Sequence, residues 1–419
     1  MDHSLSEEQD LIVTTIRRFV RQELWLWEKR IDTDAVALPA DVHTDLLAKT
    51  QATGLYQLRA PQPFRESASS SATPNTGDDS VPLDLVTAAR AAEETSQHRA
   101  GVIVPAYGLF GPDLPARLYA ATAEQQQHFL WPLLRGEAQA FSGLSDPADS
   151  ADPVDGIRIR ARWTGAEWML DGTKLFVTGA DQADFGLVFA KTEDADGAPQ
   201  GVSLFVVESN RDGFQRWRPY RTLSPERDVM ELNLSNLRIP AANLLGEVGA
   251  GTGFGEPFIV RRRVFAAAEL TGVASAAQDM ARGQARGRRE FGVPISEQQG
   301  VRWALADNEI AVRTSRLLYL SAAAAWDRSP TLRDDKETAS DSDSVRAAEA
   351  EVSAARLHAA LAALEVVDRT IQLHGGAGVS TDLPLERWYR DLRVRRIDDG
   401  GEAGQREAIA AHLLSTFKK

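Results

Sequence analysis

The chain has 419 residues, of which 43% are hydrophobic and 26% are charged, a composition typical of a soluble globular protein of two or three domains. A net charge of −13 argues against a nucleic-acid-binding protein, and the absence of cysteine excludes disulfides and thiol chemistry. The sequence has no run of about 18 apolar residues that would cross a membrane. Its acidic, amphipathic start lacks a cleavable signal, so we expect a cytoplasmic protein.

Residues 1–140 are predicted to form a helical domain. Their apolar residues recur with the helical period, and Ser6 with Gln9 has the spacing of a capping box at the start of the first helix. Residues 66–80 (ESASSSATPNTGDDS) contain few apolar residues and many Ser, Asp, Gly and Pro. This composition favours a loop.

Residues 141–250 differ in pattern from the helical segment before them. Short segments such as GIRIRARW and GVSLFVVES are rich in β-branched and aromatic residues and are separated by Gly and Asp turns. They predict a compact antiparallel, β-barrel-like domain. Residues 251–419 return to long Ala-rich amphipathic stretches, which predict a four-helix bundle, with a charged loop at 331–344. The predicted fold class is therefore α+β and multidomain, with helical, strand and helical domains in that order.

The usual nucleotide and metal motifs are missing. Residues 249–255 (GAGTGFG) do not have the G-x-G-x-x-G spacing, and no strand–helix–strand pattern surrounds them, so we do not expect a Rossmann nucleotide site. The seven histidines are scattered along the chain, and no metal site is predicted.

Residues 393–405 (RVRRIDDGGEAGQ) place two carboxylates, Asp398 and Asp399, directly before two glycines. Asp and Gly are ordinary turn residues, so a solvated turn is one interpretation. The other is a carboxylate at the mouth of a cavity, where glycine allows a substrate to approach the backbone closely. The residues alone leave both interpretations open.

The order of the three segments, and above all residues 368–400 (DRTIQLHGGAGVSTDLPLERWYRDLRVRRIDDG), resembles the acyl-CoA dehydrogenase flavoprotein family over nearly the whole chain. The resemblance implies a flavin adenine dinucleotide (FAD)-dependent oxidoreductase of fatty acid metabolism. Its substrate would be an acyl thioester of CoA or of an acyl carrier protein, and its electron acceptor would be electron-transferring flavoprotein. It also implies self-association to a dimer or homotetramer.

The same resemblance implies an FAD site drawn from several segments. Phe176 would lie beside the flavin ring, and Arg288 and Phe291 would meet FAD bound mainly to a neighbouring subunit. Core positions for these two aromatic residues, with Arg288 on a solvated helix, are the alternative. The full set of implied cofactor residues is Ser142, Leu144, Ser145, Phe176, Thr178, Arg288, Phe291, Gln372, Gly375 and Gly376.

The catalytic base implied by the resemblance is Asp399, where most members of the family have Glu. It would remove the proton at Cα of the thioester while a hydride passes from Cβ to flavin N5, and a branch of the family with Asp at this position looks similar. Asp398 is the second choice. The implied substrate residues are Ala151, Arg263 and Gly400.

Two segments depart from the family pattern. Ser150 and Ala151 stand where Gly and Ser are usual, and residues 400–403 (GGEA) replace a more polar segment that touches the cofactor. Three alternatives therefore stay open: a flavin oxidase or oxygenase similar to nitroalkane oxidase, a catalytically degenerate subunit of a heteromeric dehydrogenase, and a nucleic-acid-binding relative of the fold. The charge of −13 argues against the last.

Overall fold

A computed structural model describes residues 5–53, 55–56, 84–103, 105–111, 116–147, 156–224, 229–328, 342–398 and 400–417. The predicted loop at 66–80 lies outside the described residues. Within the described residues, no helix combines the length and the apolar character that a membrane crossing requires.

The first part of the chain is helical, as predicted. Ser6 caps the first helix as the sequence predicts: its side chain accepts a hydrogen bond from the Gln9 backbone N–H at 3.2 Å, and the Gln9 side chain accepts one from the Ser6 N–H at 2.8 Å. This capping box is therefore confirmed. The helices are α1 (Glu7–Phe19), α2 (Trp25–Glu28), α3 (Ala40–Ala52), α4 (Leu85–Thr95), α5 (Ala116–Tyr119), α6 (Ala123–Gln125) and α7 (Trp131–Arg135), with π-helical turns at Val20–Leu24 and Gln126–Leu130.

The strands of the middle segment form one twisted sheet. They are β1 (Ala140–Gly143), β2 (Arg160–Trp163), β3 (Glu167–Val177), β4 (Phe185–Glu193), β5 (Pro199–Glu208), β6 (Phe214–Tyr220), β7 (Val229–Pro240) and β8 (Leu244–Leu245). The sheet runs in the order β6-β7-β3-β2-β4-β5-β8, and β1 pairs with β4. Alternating residues of these strands bury two apolar cores, one on each side of the sheet.

The prediction of an antiparallel, barrel-like domain is correct for most strand pairs, including β4 with β5, but not for two other pairs of β4. Strand β4 pairs in parallel with both β1 and β2, because the chain crosses over between these strands instead of returning by a hairpin. Among the described strands the pairing is an open path from β6 to β8, without the closing pair of a barrel.

The last part of the chain is again helical. Its helices are α8 (Thr252–Gly287), α9 (Gln299–Arg328), α10 (Ser342–His374), α11 (Leu385–Arg395) and α12 (Gly401–Thr416), with a short hairpin of β9 (Arg289–Glu290) and β10 (Val293–Pro294) after α8. The predicted loop at 331–344 ends earlier than expected, since α10 begins at Ser342; residues 331–341 lie outside the described residues.

The core of the helical bundle is shared between distant parts of the chain. Helices α8, α9 and α10 pack together, and apolar residues of α4 belong to the same buried cluster. Ser96, directly after α4, donates a hydrogen bond to the Glu269 carbonyl of α8 at 3.0 Å. The first helical segment therefore supplies one wall of the bundle. The predicted domain limits at 140 and 250 stay a prediction.

Candidate active site

Phe176 stands in a strained and exposed position on β3. Its backbone φ is +52°, a left-handed conformation that is unusual for a bulky residue, and its side chain is 59% exposed. The strand pairing between β3 and β7 is irregular between Lys174 and Val177, which marks a β-bulge at this position. The bulge turns Phe176 away from the core, so the alternative of a core position for this residue is wrong.

A buried ion pair ties the loop after β1 to this bulge. Lys174 and Asp146 are both fully buried, with 2.5 Å between the Lys174 Nζ and the Asp146 carboxylate. Lys174 also donates a hydrogen bond to the Leu144 carbonyl at 3.1 Å, and the Leu175 N–H donates to the Ser145 carbonyl at 3.1 Å. Burial lowers the pKa of the Lys174 ammonium, although Asp146 opposes the shift. The contacts hold the 144–146 loop against β3.

The structure thereby brings together one group of the predicted cofactor residues. Ser142 lies on β1, Leu144 and Ser145 follow it, and Phe176 and Thr178 lie at the end of β3. Ser142, Ser145 and Thr178 have exposed side chains, whereas Leu144 is buried. The group forms one surface although some 30 residues of sequence separate its two halves.

Phe291 is the second exposed aromatic residue on left-handed backbone. It lies in the turn between β9 and β10, with φ of +51° and 96% of its side chain exposed. Arg288 precedes the turn and is exposed too. Arg289 fixes the turn, since its guanidinium donates to the Gly292 carbonyl at 2.8 Å. The alternative of a core position for Phe291 is therefore wrong as well.

Gln372, Gly375 and Gly376 lie at the exposed end of α10. Gly375 has a φ of +60°, a conformation that favours glycine, and begins a short 3₁₀ turn at Gly375–Val379. No atom lies within 4 Å of a Cβ added to Gly375 or Gly376, so their backbone is open to the surface. This second group, with Arg288 and Phe291, has the exposure that contact with another molecule requires.

Asp398 is held by two arginines of the helical bundle. Arg395 donates a hydrogen bond to it at 2.9 Å, and Arg356, which is almost fully buried on α10, donates to its other oxygen. Burial opposes ionisation of Asp398, but Arg356 and Arg395 outweigh this effect and lower the pKa of the carboxyl below its usual range. Asp399 lies outside the described residues.

Gly400 and Arg263 are two of the predicted substrate residues. Gly400 has a φ of +81° and precedes the first residue of α12. Arg263 is 4% exposed on α8, and its guanidinium donates to Glu349 and to Ser353 of α10, both at 3.0 Å. It therefore meets α10 one to two turns before Arg356. Ala151, the remaining predicted substrate residue, lies outside the described residues.

Comparison with known proteins gives the family of the chain. A family model described as acyl-CoA dehydrogenase, middle domain, matches residues 142–237, and one described as acyl-CoA dehydrogenase, C-terminal domain, matches residues 250–414. A 3-(aryl)acrylate reductase of Clostridium sporogenes is 31% identical over 71% of this chain and 74% of its own length. The chain belongs to the acyl-CoA dehydrogenase family.

Two acyl-CoA dehydrogenases show how far the similarity extends. The human mitochondrial short-chain specific acyl-CoA dehydrogenase is 29% identical over 99% of this chain and 92% of its own length. The structure of butyryl-CoA dehydrogenase from Megasphaera elsdenii superposes with a TM-score of 0.77 at 23% identity, over 99% of this chain and all of that chain. The acyl-CoA dehydrogenase fold predicted from the sequence is thus confirmed.

Two side chains that shape this candidate site could not be identified as its members in the sequence analysis. Lys174 and Arg356 are ordinary strand and helix residues by pattern, and their partners Asp146 and Asp398 are distant along the chain. Lys174 gave a signal in the sequence, because a charged residue within an apolar strand is seldom buried without a partner of opposite charge. No such signal marks Arg356.

Proposed function

We propose that this chain is an FAD-dependent acyl-CoA dehydrogenase that introduces a double bond between Cα and Cβ of an acyl thioester, with Asp399 as the base at Cα. The observation that carries the assignment of the base is the pairing of Asp398 with Arg356 and Arg395. A carboxylate with two guanidinium partners and a lowered pKa is a weak base. Of the two adjacent carboxylates, Asp399 is therefore left for proton abstraction.

The neighbourhood of Asp399 also supports this role. Asp398 is anchored on one side of it, and on the other Gly400 takes a left-handed conformation that starts α12. Both chain neighbours of Asp399 are thus held in place. Asp is one methylene shorter than Glu, so we expect the substrate to lie closer to this backbone than in family members with Glu.

The described residues fit FAD as the cofactor. The exposed aromatic side chains of Phe176 and Phe291 offer apolar faces, the exposed Arg288 guanidinium suits a diphosphate, and Gly375 and Gly376 leave their backbone open to close approach. When bound, FAD supplies the acceptor for the hydride that leaves Cβ. The residues of the chain would hold the cofactor and orient the thioester against it.

Self-association and partners follow from the same proposal. We propose that Arg288, Phe291 and the exposed end of α10 meet the cofactor of a second copy, within a dimer or homotetramer. Acyl-CoA is the proposed substrate and electron-transferring flavoprotein the proposed electron acceptor. A structural neighbour at 24% identity and a TM-score of 0.76 carries the name of electron transferring flavoprotein from Acidaminococcus fermentans.

The experiment that tests the base compares Asp399→Asn with Asp398→Asn. General acid–base catalysis contributes roughly 100- to 10,000-fold to a rate, so Asp399→Asn should slow anaerobic reduction of the flavin by a panel of acyl-CoA thioesters by about that factor while FAD stays bound. Asp398→Asn, which removes the neighbouring charge, should reduce the rate much less. Stopped-flow absorbance at the flavin band measures both, and rapid reduction in Asp399→Asn would refute the assignment.

Two observations on the purified wild-type protein distinguish this function from the alternatives. Fast reoxidation of the reduced flavin by oxygen would favour a flavin oxidase similar to nitroalkane oxidase. A colourless protein that takes up no added FAD would favour a degenerate subunit.

A further inference from the structure

Phe176 is stacked on Tyr220, the last residue of β6. The two ring centroids are 4.5 Å apart and the ring planes are inclined by only 27°. Tyr220 reaches Phe176 from a different strand, since β7 lies between β6 and β3 in the sheet. Of the two faces of the Phe176 ring, one is thus covered by Tyr220, while 59% of the side chain remains exposed.

Tyr220 is itself fixed by a charged network. Its hydroxyl donates a hydrogen bond to a carboxylate oxygen of Glu231 at 2.6 Å. The Arg218 guanidinium donates to the same oxygen at 2.7 Å and to the Tyr220 hydroxyl at 3.2 Å, and it lies 4.9 Å from the centre of the Tyr220 ring. Arg218 and Glu231 are register partners on β6 and β7, so the sheet itself sets the position of the ring.

Phe176 needs this contact because its own backbone does little to fix the orientation of the ring. A bulky residue at a φ of +52° in a bulge has left the regular pleat that orients side chains in a strand. An exposed side chain on such a backbone would exchange between rotamers. Fixing one rotamer when the cofactor binds would then lower the affinity of the protein for the cofactor. Offset stacking on a fixed aromatic neighbour selects one orientation.

We propose that Tyr220 is a positioning residue: held by Arg218 and Glu231, it keeps the Phe176 ring in the orientation in which its uncovered face meets the isoalloxazine of FAD. This inference rests on the proposed function, because it requires that the chain binds FAD. It adds a residue of β6 to a site that the sequence places on β1, β3 and the helical bundle.

Three variants of the full-length protein test the proposal. Tyr220→Leu removes the ring and the hydroxyl, Tyr220→Phe keeps the ring, and Trp217→Leu removes a neighbouring aromatic residue of β6 that is 63% exposed. Each apoprotein is titrated with FAD, with dissociation constant and fluorescence of the bound flavin as readouts. Because an aromatic pair contributes a modest interaction, Tyr220→Leu should weaken FAD binding by roughly 2- to 10-fold and raise the flavin fluorescence.

Tyr220→Phe should restore most of the affinity, since the stacked ring remains, and Trp217→Leu should match the wild type. A double-mutant cycle between Tyr220→Leu and Phe176→Ala on FAD affinity should show the two losses to be non-additive. If the wild type binds FAD and Tyr220→Leu binds it equally well with unchanged fluorescence, the positioning role is refuted and the proposed function stands. If the wild type takes up no FAD, both are refuted.

Discussion

At the scale of single residues, Glu93 of α4 is a tightly held charge in the helical bundle. It is fully buried, and Arg316 of α9 donates to it from two nitrogens while the Tyr319 hydroxyl and Arg90 donate as well. Burial alone would raise the pKa of Glu93, but Arg90 and Arg316 outweigh it and hold the pKa at about 2, against an ordinary value of 4.5. Glu93 therefore stabilises the fold through its ionised form.

We predict that Glu93→Gln destabilises the protein by roughly 3 kcal/mol at pH 7, which corresponds to the lowered pKa and to the cost of breaking a buried ion pair. Because the folded-state pKa is depressed, this stabilisation is fully present above about pH 4.5 and is lost as the pH falls towards about 2. The difference between wild type and variant in urea unfolding should therefore shrink below pH 4.5. Glu8→Gln, exposed on α1, is the control and should shift the free energy of unfolding by at most about 0.5 kcal/mol. A pH-independent difference would contradict the prediction.

Some of these residue-level features can be predicted from the sequence and others cannot. The capping box of Ser6 could be predicted because both partners lie within one helical turn. The surface positions of Phe176 and Phe291 followed from resemblance, but their left-handed backbone did not. For Phe176 it depends on a bulge against the distant strand β7, and for Phe291 it lies in a short local turn where a bulky residue is unusual. The pairing of Asp398 with Arg356 joins residues 42 positions apart, and no local sequence pattern predicts it.

At the scale of elements, the contact between α4 and α8 depends on one glycine. Gly272 of α8 faces the end of α4, and a Cβ added there would overlap the Glu93 carbonyl oxygen and the Ser96 hydroxyl. Gly283 lies on the same helix, is exposed, and has no atom within 4 Å of an added Cβ. The same substitution should therefore have opposite effects at these two positions.

We predict that Gly272→Ala destabilises the protein by roughly 1–3 kcal/mol, because the backbones of α4 and α8 must separate. Gly283→Ala should stabilise it by roughly 0.5–1 kcal/mol, because alanine loses less conformational entropy in a helix. Thermal or urea unfolding of the two variants measures both effects. Unchanged stability in Gly272→Ala would contradict the close approach of α4 and α8, and a loss of stability in Gly283→Ala would contradict the entropic effect of alanine.

At the scale of the whole molecule, the order of helical, strand and helical segments could be read from periodicity, because each segment repeats one pattern many times. The parallel neighbours of β4 and the contribution of α4 to the bundle could not, because they depend on how distant segments cross in space. Assembly beyond the single chain is predicted by resemblance, and it must overcome the repulsion of a net charge of −13 per subunit. Burial of an exposed apolar surface on α9 would supply the attraction that overcomes this repulsion.

The three large apolar residues on that surface are Trp303, Ile310 and Leu317, which are 62%, 63% and 54% exposed. Their spacing of seven residues places them along one face of α9, and a row of large exposed apolar residues of this kind marks an interaction surface. We predict that Ile310→Asp introduces an uncompensated charge in the centre of a subunit interface and shifts the protein to a smaller oligomer in size-exclusion chromatography with light scattering. Leu11→Asp, which places the same charge on a 67% exposed apolar residue of α1, should leave the molecular mass unchanged. If Ile310→Asp keeps the mass of the wild type, the stripe lies outside the interface, and assembly must use the surface around Phe291 and the end of α10.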